Sequence, residues 1–323
     1  MNDALLNTLN SIIASATPLV IASLGETITE RSGIINLSLN GSILLCAMLG
    51  FVVSFISESL VLGILIAMVV GALIALIVAV ASIELRQDQV AIGFVLTLLA
   101  ADLSKFLGQP YNNQLSLVMP KWAVPILKDI PVVGPIFFQH NLFVYFSFVL
   151  VFIVWFWMYK TRGGLALRAI GENPEAAYAR GFKVNKLRYL YTIVGGAIVG
   201  IAGASYSLGI KAGWSANPAM DGDGWIALAI VIFGGWHPFR VVLGAYLFAS
   251  LRALASVIQR TDLPIPVVLL NILPWVLMIV TLMLVSSGIW ERLLRIVPGP
   301  AQNLARSVLR SKQPTALGVR FDN

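Results

Sequence analysis

The chain alternates long apolar runs with short polar interruptions. A membrane-spanning helix needs about 20 mostly apolar residues. Nine segments approach that length: 4–24, 42–57, 60–81, 89–107, 142–159, 189–210, 224–235, 241–258 and 265–286. Two are short, with 16 residues in 42–57 and 12 in 224–235. At 1.5 Å per residue the second is about 18 Å long, against a hydrocarbon core of about 30 Å. The pattern predicts an all-α polytopic membrane protein of about nine transmembrane helices. Residues 1–290 would form the transmembrane domain and 291–323 a basic tail.

Composition agrees. Of 323 residues, 58% are hydrophobic and 11% charged, where soluble domains hold roughly 45–50% and 25%. The lone cysteine, Cys46, excludes an intramolecular disulfide and a Cys-cluster metal site. His140 and His237 are too far apart for metal-ligand spacing. No P-loop motif occurs, and no cofactor is expected. No Lys or Arg precedes Arg31, so the start lacks the basic region of a cleaved signal peptide. The net charge of +7 reads as basic cytoplasmic loops rather than a nucleic-acid surface.

Lys and Arg also set the orientation. Stretch 160–188 holds Lys160, Arg162, Arg168, Arg180, Lys183, Lys186 and Arg188 against Glu172 and Glu175; tail 287–323 holds Arg292, Arg295, Arg306, Arg310, Lys312 and Arg320. Four segments separate these regions, so both fall on one side, the cytoplasm. Counting back gives an N-terminus outside and a C-terminus inside. The connection 108–141 then faces out and, with prolines at 110, 120, 125, 131 and 135, is expected to be irregular.

Each short segment follows a polar, Gly-bearing stretch: GETITERSGIINLSLNG (25–41) and KAGWSANPAMDGDG (211–224). They lie on opposite faces of this topology. An inverted 4+4 repeat follows, with segments 1–4 matching 6–9. Gly41 and Gly222 are 181 positions apart, as are Gly63 and Gly244. Interrupted helices in corresponding halves point to a transport pathway.

The basic loop contains GENPEAAYARG, residues 171–181. Asn173 suits an N-cap, Pro174 suits N1, and Glu175 in the first turn suits the positive end of the dipole. Ala176, Ala177 and Ala179 favour helix, and Gly181 is placed for a left-handed stop. A two-turn helix with both ends specified is expected over 173–181. Its bland reading is a surface helix resting on headgroups.

Here a resemblance enters. Glu175-Ala176-Ala177-x-x-x-Gly181 looks like the EAA loop of ATP-binding-cassette importer permeases. LRAIGENPEAAYARGFKVNKLRYLYTIVGGAIVGIAGA (167–204) resembles the coupling region and next helix of permeases of the branched-chain amino acid, ribose and nucleoside group. The stretches 25–41 and GWIALAIVIFGGWHPFRVVLGAYLF (224–248) are similar to its nucleoside and simple-sugar branch. That branch usually reads N-L-G-L-E-G, where this chain has Asn36-Leu37-Ser38-Leu39-Asn40-Gly41. The resemblance implies the membrane half of an importer for a nucleoside or simple sugar, in the cell (inner) membrane. It also implies a separate ATPase, a second and different permease chain, and an extracytoplasmic substrate-binding protein. Glu172, Asn173, Pro174, Glu175, Ala176, Ala177 and Gly181 are the expected ATPase-coupling residues.

Polar groups in the spans carry two readings each. An intramembrane ionisable residue is a functional candidate, but near a helix end snorkelling is commoner. Asp102 and Arg252 stand between those readings, and an Asp102–Arg252 pair is the less favoured one. Asn36 and Asn40 serve equally as pathway lining or helix-end caps. Trp214, Asn217, Asp221 and Asp223 read as an outer loop, either merely solvated or facing the delivering protein. Trp155, Trp157 and Tyr159 fit an interfacial aromatic belt. Gly195, Gly196, Gly200 and Gly203, with Ala197 and Ala204, put small residues on one helix face for close packing. The competing classes are an ion-coupled transporter, for which Asp102 is the only acid well inside a span, a membrane-embedded enzyme, and an importer of branched-chain amino acids.

Overall fold

The computed structural model describes residues 3–114, 117–210, 213–215, 220–258 and 313–322, with six helical positions between 272 and 283. The expected segment 265–286 and most of tail 291–323 lie largely outside the described residues. Among the latter, seven helices are long and apolar enough to cross a membrane, and an eighth apolar helix is shorter.

The elements run as follows: α1 (Asp3–Arg31), α2 (Leu39–Ser57), α3 (Leu60–Ile83), α4 (Gln89–Gly108), β1 (Lys121–Ala123), α5 (Val133–Phe137), β2 (Gln139–Asn141), α6 (Leu142–Lys160), α7 (Arg162–Glu172), α8 (Pro174–Ala179), α9 (Val184–Ser205), α10 (Asp223–Phe233) and α11 (Pro238–Ile258). A single π turn, Tyr206–Ile210, extends α9. Side-chain caps set several starts. Asp88 accepts from the Ala91 N–H at 2.8 Å, Asn141 from Val144 at 3.3 Å, and Thr161 from Gly164 at 3.2 Å.

Three expectations change. First, the stretch 25–41 is not an interruption throughout. α1 continues to Arg31, because the polar side chains of ETITER find partners inside the protein. Thr27 Oγ1 donates to the Ser23 carbonyl at 2.6 Å, and Ser23 Oγ donates across to Ala227 of α10 at 3.2 Å. Only 32–38 is irregular, with Gly33 at φ +94° supplying a conformation that a side chain would strain. Second, the connection between α4 and α6 is not wholly irregular. β1 and β2 pair antiparallel, Trp122 opposite His140, and Tyr145 at the root of α6 donates to the Trp122 carbonyl at 2.8 Å. Third, the basic loop holds two helices, since α7 precedes the expected one.

α1 is the centre of the bundle. Nearly every side chain from Ala16 to Glu30 is buried, against α9, α10 and α11 in particular. The glycines of α9 make this closeness available, though not on one face as the sequence suggested. At 100° per residue they fan around three sides. Gly195 meets Gly25 and Thr29 of α1, Gly196 and Gly200 meet Gly71 and Ala67 of α3, and Gly203 meets Ile43 and Cys46 of α2. Without a hydrophobic drive between helices in lipid, such backbone approach is what packs them. The apolar side chains left outward, such as Leu65, Val69 and Leu73 on α3 or Phe94 and Leu98 on α4, suit contact with hydrocarbon.

A Cβ at Gly200 would fall inside the Ala67–Met68 backbone. Gly200→Val should therefore cost about 1–3 kcal/mol of stability by overpacking, read as a lowered melting temperature of the detergent-solubilised protein by fluorescence-detected size exclusion. An unchanged melting temperature would contradict this packing.

Candidate functional site

The capped helix forms as its sequence specifies. Asn173 Oδ1 accepts from the Ala176 N–H at 2.9 Å, and Pro174 occupies N1. At the other end Gly181 has φ +88°. The Phe182 N–H donates to the Ala177 carbonyl at 3.1 Å and the Gly181 N–H to Tyr178 at 2.8 Å, the two bonds of a Schellman close. Pro174 and Ala177 turn inward, and Ala177 belongs to the main apolar core of this chain. The outward side is Glu175, Ala176, Tyr178, Ala179, Arg180 and Gly181. Glu172 is engaged within the chain: Arg31 Nη1 donates to it at 3.4 Å and Thr315 Oγ1 at 2.9 Å. Arg31 also donates to the Trp236 carbonyl at 3.3 Å and the Gly235 carbonyl at 3.4 Å. One guanidinium thus ties the end of α1, the end of α7 and the α10–α11 turn. Trp155 and Tyr159 of α6 pack there too, on Phe239 and His237 respectively, and Trp157 packs on Tyr191 of α9. The half-buried aromatics are joints between helices as well as a belt.

The second polar centre lies where the short helix α10 begins. Its first turn abuts the first turn of α2. Asn40 Oδ1 accepts from the Gly222 N–H at 2.9 Å and the Gly224 N–H at 3.2 Å, and its Nδ2 donates to Asp221 Oδ1 at 3.0 Å. Asn40 is a cap, but of α10 and not of its own helix. Gly224 lies against the Asn40 backbone so tightly that no Cβ fits. Asn36 braces the turn before α2 without capping that helix: its Oδ1 accepts from the Ser38 N–H at 3.1 Å and hydroxyl at 2.5 Å, and its Nδ2 donates to Glu26 at 3.3 Å.

Arg252 is paired, but not with Asp102. Its Nη1 donates to Asp223 Oδ2 at 3.0 Å, its Nη2 meets Oδ1, and the Tyr206 hydroxyl of the π turn donates to the same carboxylate. Asp223, expected in an outer loop, is fully buried at the start of α10. Asp102 is exposed on α4. Asp221 is exposed and meets Lys105 at 3.6 Å. Trp214 is buried, and Asn217 lies outside the described residues.

Sequence reasoning missed Glu26 and Glu30. Both are buried in α1, so Asp102 is not the main acid inside the spans. Glu30 accepts from the Trp236 indole N–H. Glu26 Oε1 has no hydrogen-bond partner among the described residues. The i, i+4 spacing of the two acids, with Ser23 and Thr27 on the same stretch, was the available signal of a polar helix face.

Discontinuous helices whose first turns meet inside a bundle are a transporter feature. Over residues 8–285 the sequence matches the family described as branched-chain amino acid transport system / permease component. The chain belongs to this permease family. The permease is 39% identical over 251 residues to a putative glucose ABC transporter permease protein of Haloferax volcanii, covering 76% of each chain. It is 35% identical over 297 residues to a nucleoside ABC transporter permease protein of Lactococcus lactis subsp. cremoris, covering 86% of this permease and 93% of the relative. A second nucleoside permease of that Lactococcus strain matches at 28% over 105 residues, 32% of this permease and 29% of the relative. No solved structure matches it. Family membership sets aside the ion-coupled reading that the buried carboxylates alone would allow.

Two tests follow. Arg252→Met leaves the buried Asp223 charge without its counter-ion and should destabilise the permease by about 3 kcal/mol. Adding Asp223→Asn should restore much of the loss, and equal melting temperatures for the single and double variants would refute the pairing. His237, between α10 and α11, is pushed down to about 4 by burial, with Arg240 and Arg31 nearby adding to it. The unfolded chain protonates this ring near the ordinary 6.5. Between those values the unfolded state binds more protons, so this contribution to stability is complete above pH 6.5 and falls as pH drops toward 4. Melting temperatures across pH 4–8 should show that slope in the native permease and a flatter one in His237→Gln.

Proposed function

We propose that the permease is the membrane-spanning subunit of an ATP-driven importer for a small polar solute, a nucleoside or simple sugar. The observation that carries the reading is α8. It is a helix of under two turns, closed at both ends, and presents Glu175, Ala176, Tyr178, Ala179 and Arg180 outward. A rigid, exposed helix tied to the spans through Arg31 and Glu172 is suited to receive motion from an ATPase subunit. The chain itself has no nucleotide motif. The nucleoside and glucose relatives support the solute class over branched-chain amino acids. The Lactococcus pair of nucleoside permeases supports a heterodimer of two different permease chains. A binding protein outside the membrane would deliver the solute, as importers of this kind require.

The same reading places the α7–α8 end in the cytoplasm, by its excess of Lys and Arg. It takes the two halves as an inverted repeat. Support comes from matched neighbours: α3 packs on α9 as α11 packs on α1, and α2 on α9 as α10 on α1. The pathway would then pass the junction of α2 and α10, beside Asn40, Asp221, Asp223 and Arg252. Asn36, in the α1–α2 turn, leads into that junction, and Asp102 is exposed on α4.

Ala176→Glu should place bulk and charge on the face that enters the ATPase. The variant should reach the membrane at normal levels and lose both uptake and co-purification of the ATPase. Retention of both at wild-type levels would make α8 a surface connector. Gly181→Val should weaken the same interaction through strain of about 1 kcal/mol at positive φ. Reporter fusions at Asn2 and Asn323 should report opposite sides of the membrane; agreement between them would overturn the topology and the repeat together.

A further inference from the structure

The described end of the tail, residues 313–322, is seated on the basic end of the bundle. The Ala316 N–H donates to the Gly171 carbonyl of α7 at 2.9 Å, and the Gly318 N–H to the Gly33 carbonyl of the α1–α2 turn at 3.0 Å. Thr315 donates to Glu172 from both its N–H, at 3.4 Å, and its hydroxyl. Phe321 packs on Tyr178 of α8 with ring centroids 5.6 Å apart. Arg188, at the root of α9, is buried to 2% exposure. It donates to the Ser32 carbonyl at 3.2 Å and to the Val319 carbonyl at 3.0 Å. Its buried charge is therefore shared between the α1–α2 turn and the tail. Gly318, at φ +74°, lets the tail turn down onto Ile35.

These contacts fall into two groups. One side of the segment holds the α7–α8 unit through Gly171, Glu172 and Tyr178. The other side holds the α1–α2 turn through Gly33 and Arg188. From that turn Asn36 and Ser38 lead directly into α2, whose Asn40 caps α10. Two backbone hydrogen bonds, Ala316 to Gly171 and Gly318 to Gly33, and the Arg188 bond to the Val319 carbonyl fix the relative position of the two sides. The Arg86–Asp322 pair at 3.5 Å is two-thirds exposed on both sides and adds little.

We propose that residues 313–322 are a coupling strap. They make α7–α8 and the α1–α2 turn one mechanical body, so that displacement of α8 reaches the junction of α2 and α10. The strap is a positioning element, and the inference rests on the importer reading above.

The test uses the assembled importer in nanodiscs and proteoliposomes with its binding protein. Labelled uridine and labelled glucose are the transported probes. The full chain is first checked for co-purification of the ATPase; if none is retained, the importer reading fails and takes the strap with it. Two variants then isolate the strap: truncation before Gln313, and Ala316→Pro, which removes one N–H at unchanged length. Both should keep ATPase co-purification and ATP hydrolysis within about twofold, while solute imported per ATP hydrolysed falls about tenfold or more. A ratio within twofold of the full chain overturns the strap, and so does loss of the ATPase on truncation, which would make the tail a docking segment instead. An Arg86→Cys, Asp322→Cys pair, at a contact that adds little by itself, joined by a short bismaleimide separates a strap from an inhibitory latch. The native Cys46 is buried and does not compete. A strap stays seated through the cycle, so the joined protein should import within twofold of the unjoined one. Import abolished by joining overturns the proposal, because the segment must then detach in each cycle.

Discussion

Asn40 closes the first turn of a helix that is not its own, and the centre of the bundle depends on that bond. Inside a bilayer there is no water to satisfy the free N–H groups at a helix start. α10 begins within the protein, so the donors of Gly222 and Gly224 need an acceptor from another element. α2 provides it because its own first turn arrives at the same depth, and Gly224 has no side chain to hold the two apart. Opposed helix starts bring two positive dipole ends together. The carboxylates of Asp221 and Asp223 lie at that point, and Arg252 and Tyr206 hold the buried one of them. The chemistry of the junction is therefore closed on itself: each charge and each donor draws on a different helix.

The basic end is built on the opposite plan. There the groups that tie elements together are backbone carbonyls and buried guanidinium groups. Arg31 binds the turn after α10 and the end of α7. Arg188 binds the turn after α1 and the tail. These two side chains act as rivets between segments distant in sequence. α8 extends from this assembly with one face packed and one face open.

What the sequence showed and what it hid follow a physical line. Long apolar runs were legible as spans, and α8 was legible residue by residue because its caps are local. Asn173, Pro174 and Gly181 each act within four positions. The polar end of α1 was hidden, because Glu26, Thr27 and Glu30 read as a loop until α9, α10 and Trp236 are placed around them. The partner of Arg252 was hidden for the same reason. Asp223 reads as loop in sequence, and only the turn of the chain into α10 buries it. The inward side of Ala177 was equally a tertiary fact. The sequence marked Ala176 and Ala177 alike as helix formers, but not which of them faces the core.

The central position of α1 has a bearing on how the protein is made. α1 leaves the ribosome before α9, α10 and α11, and the indole that satisfies Glu30 is 206 residues later. At about 5–20 residues per second of synthesis, that carboxylate waits ten seconds or more for its partner. During that interval α1 is a hydrophobic segment carrying two acids and no neighbours, a poor candidate for free residence in lipid. The insertion machinery must therefore either keep it beside a protein surface or admit it twice, first at the interface and then into the bundle as α9 to α11 close around it. The helix that organises the finished protein is the one least able to stand alone while it forms.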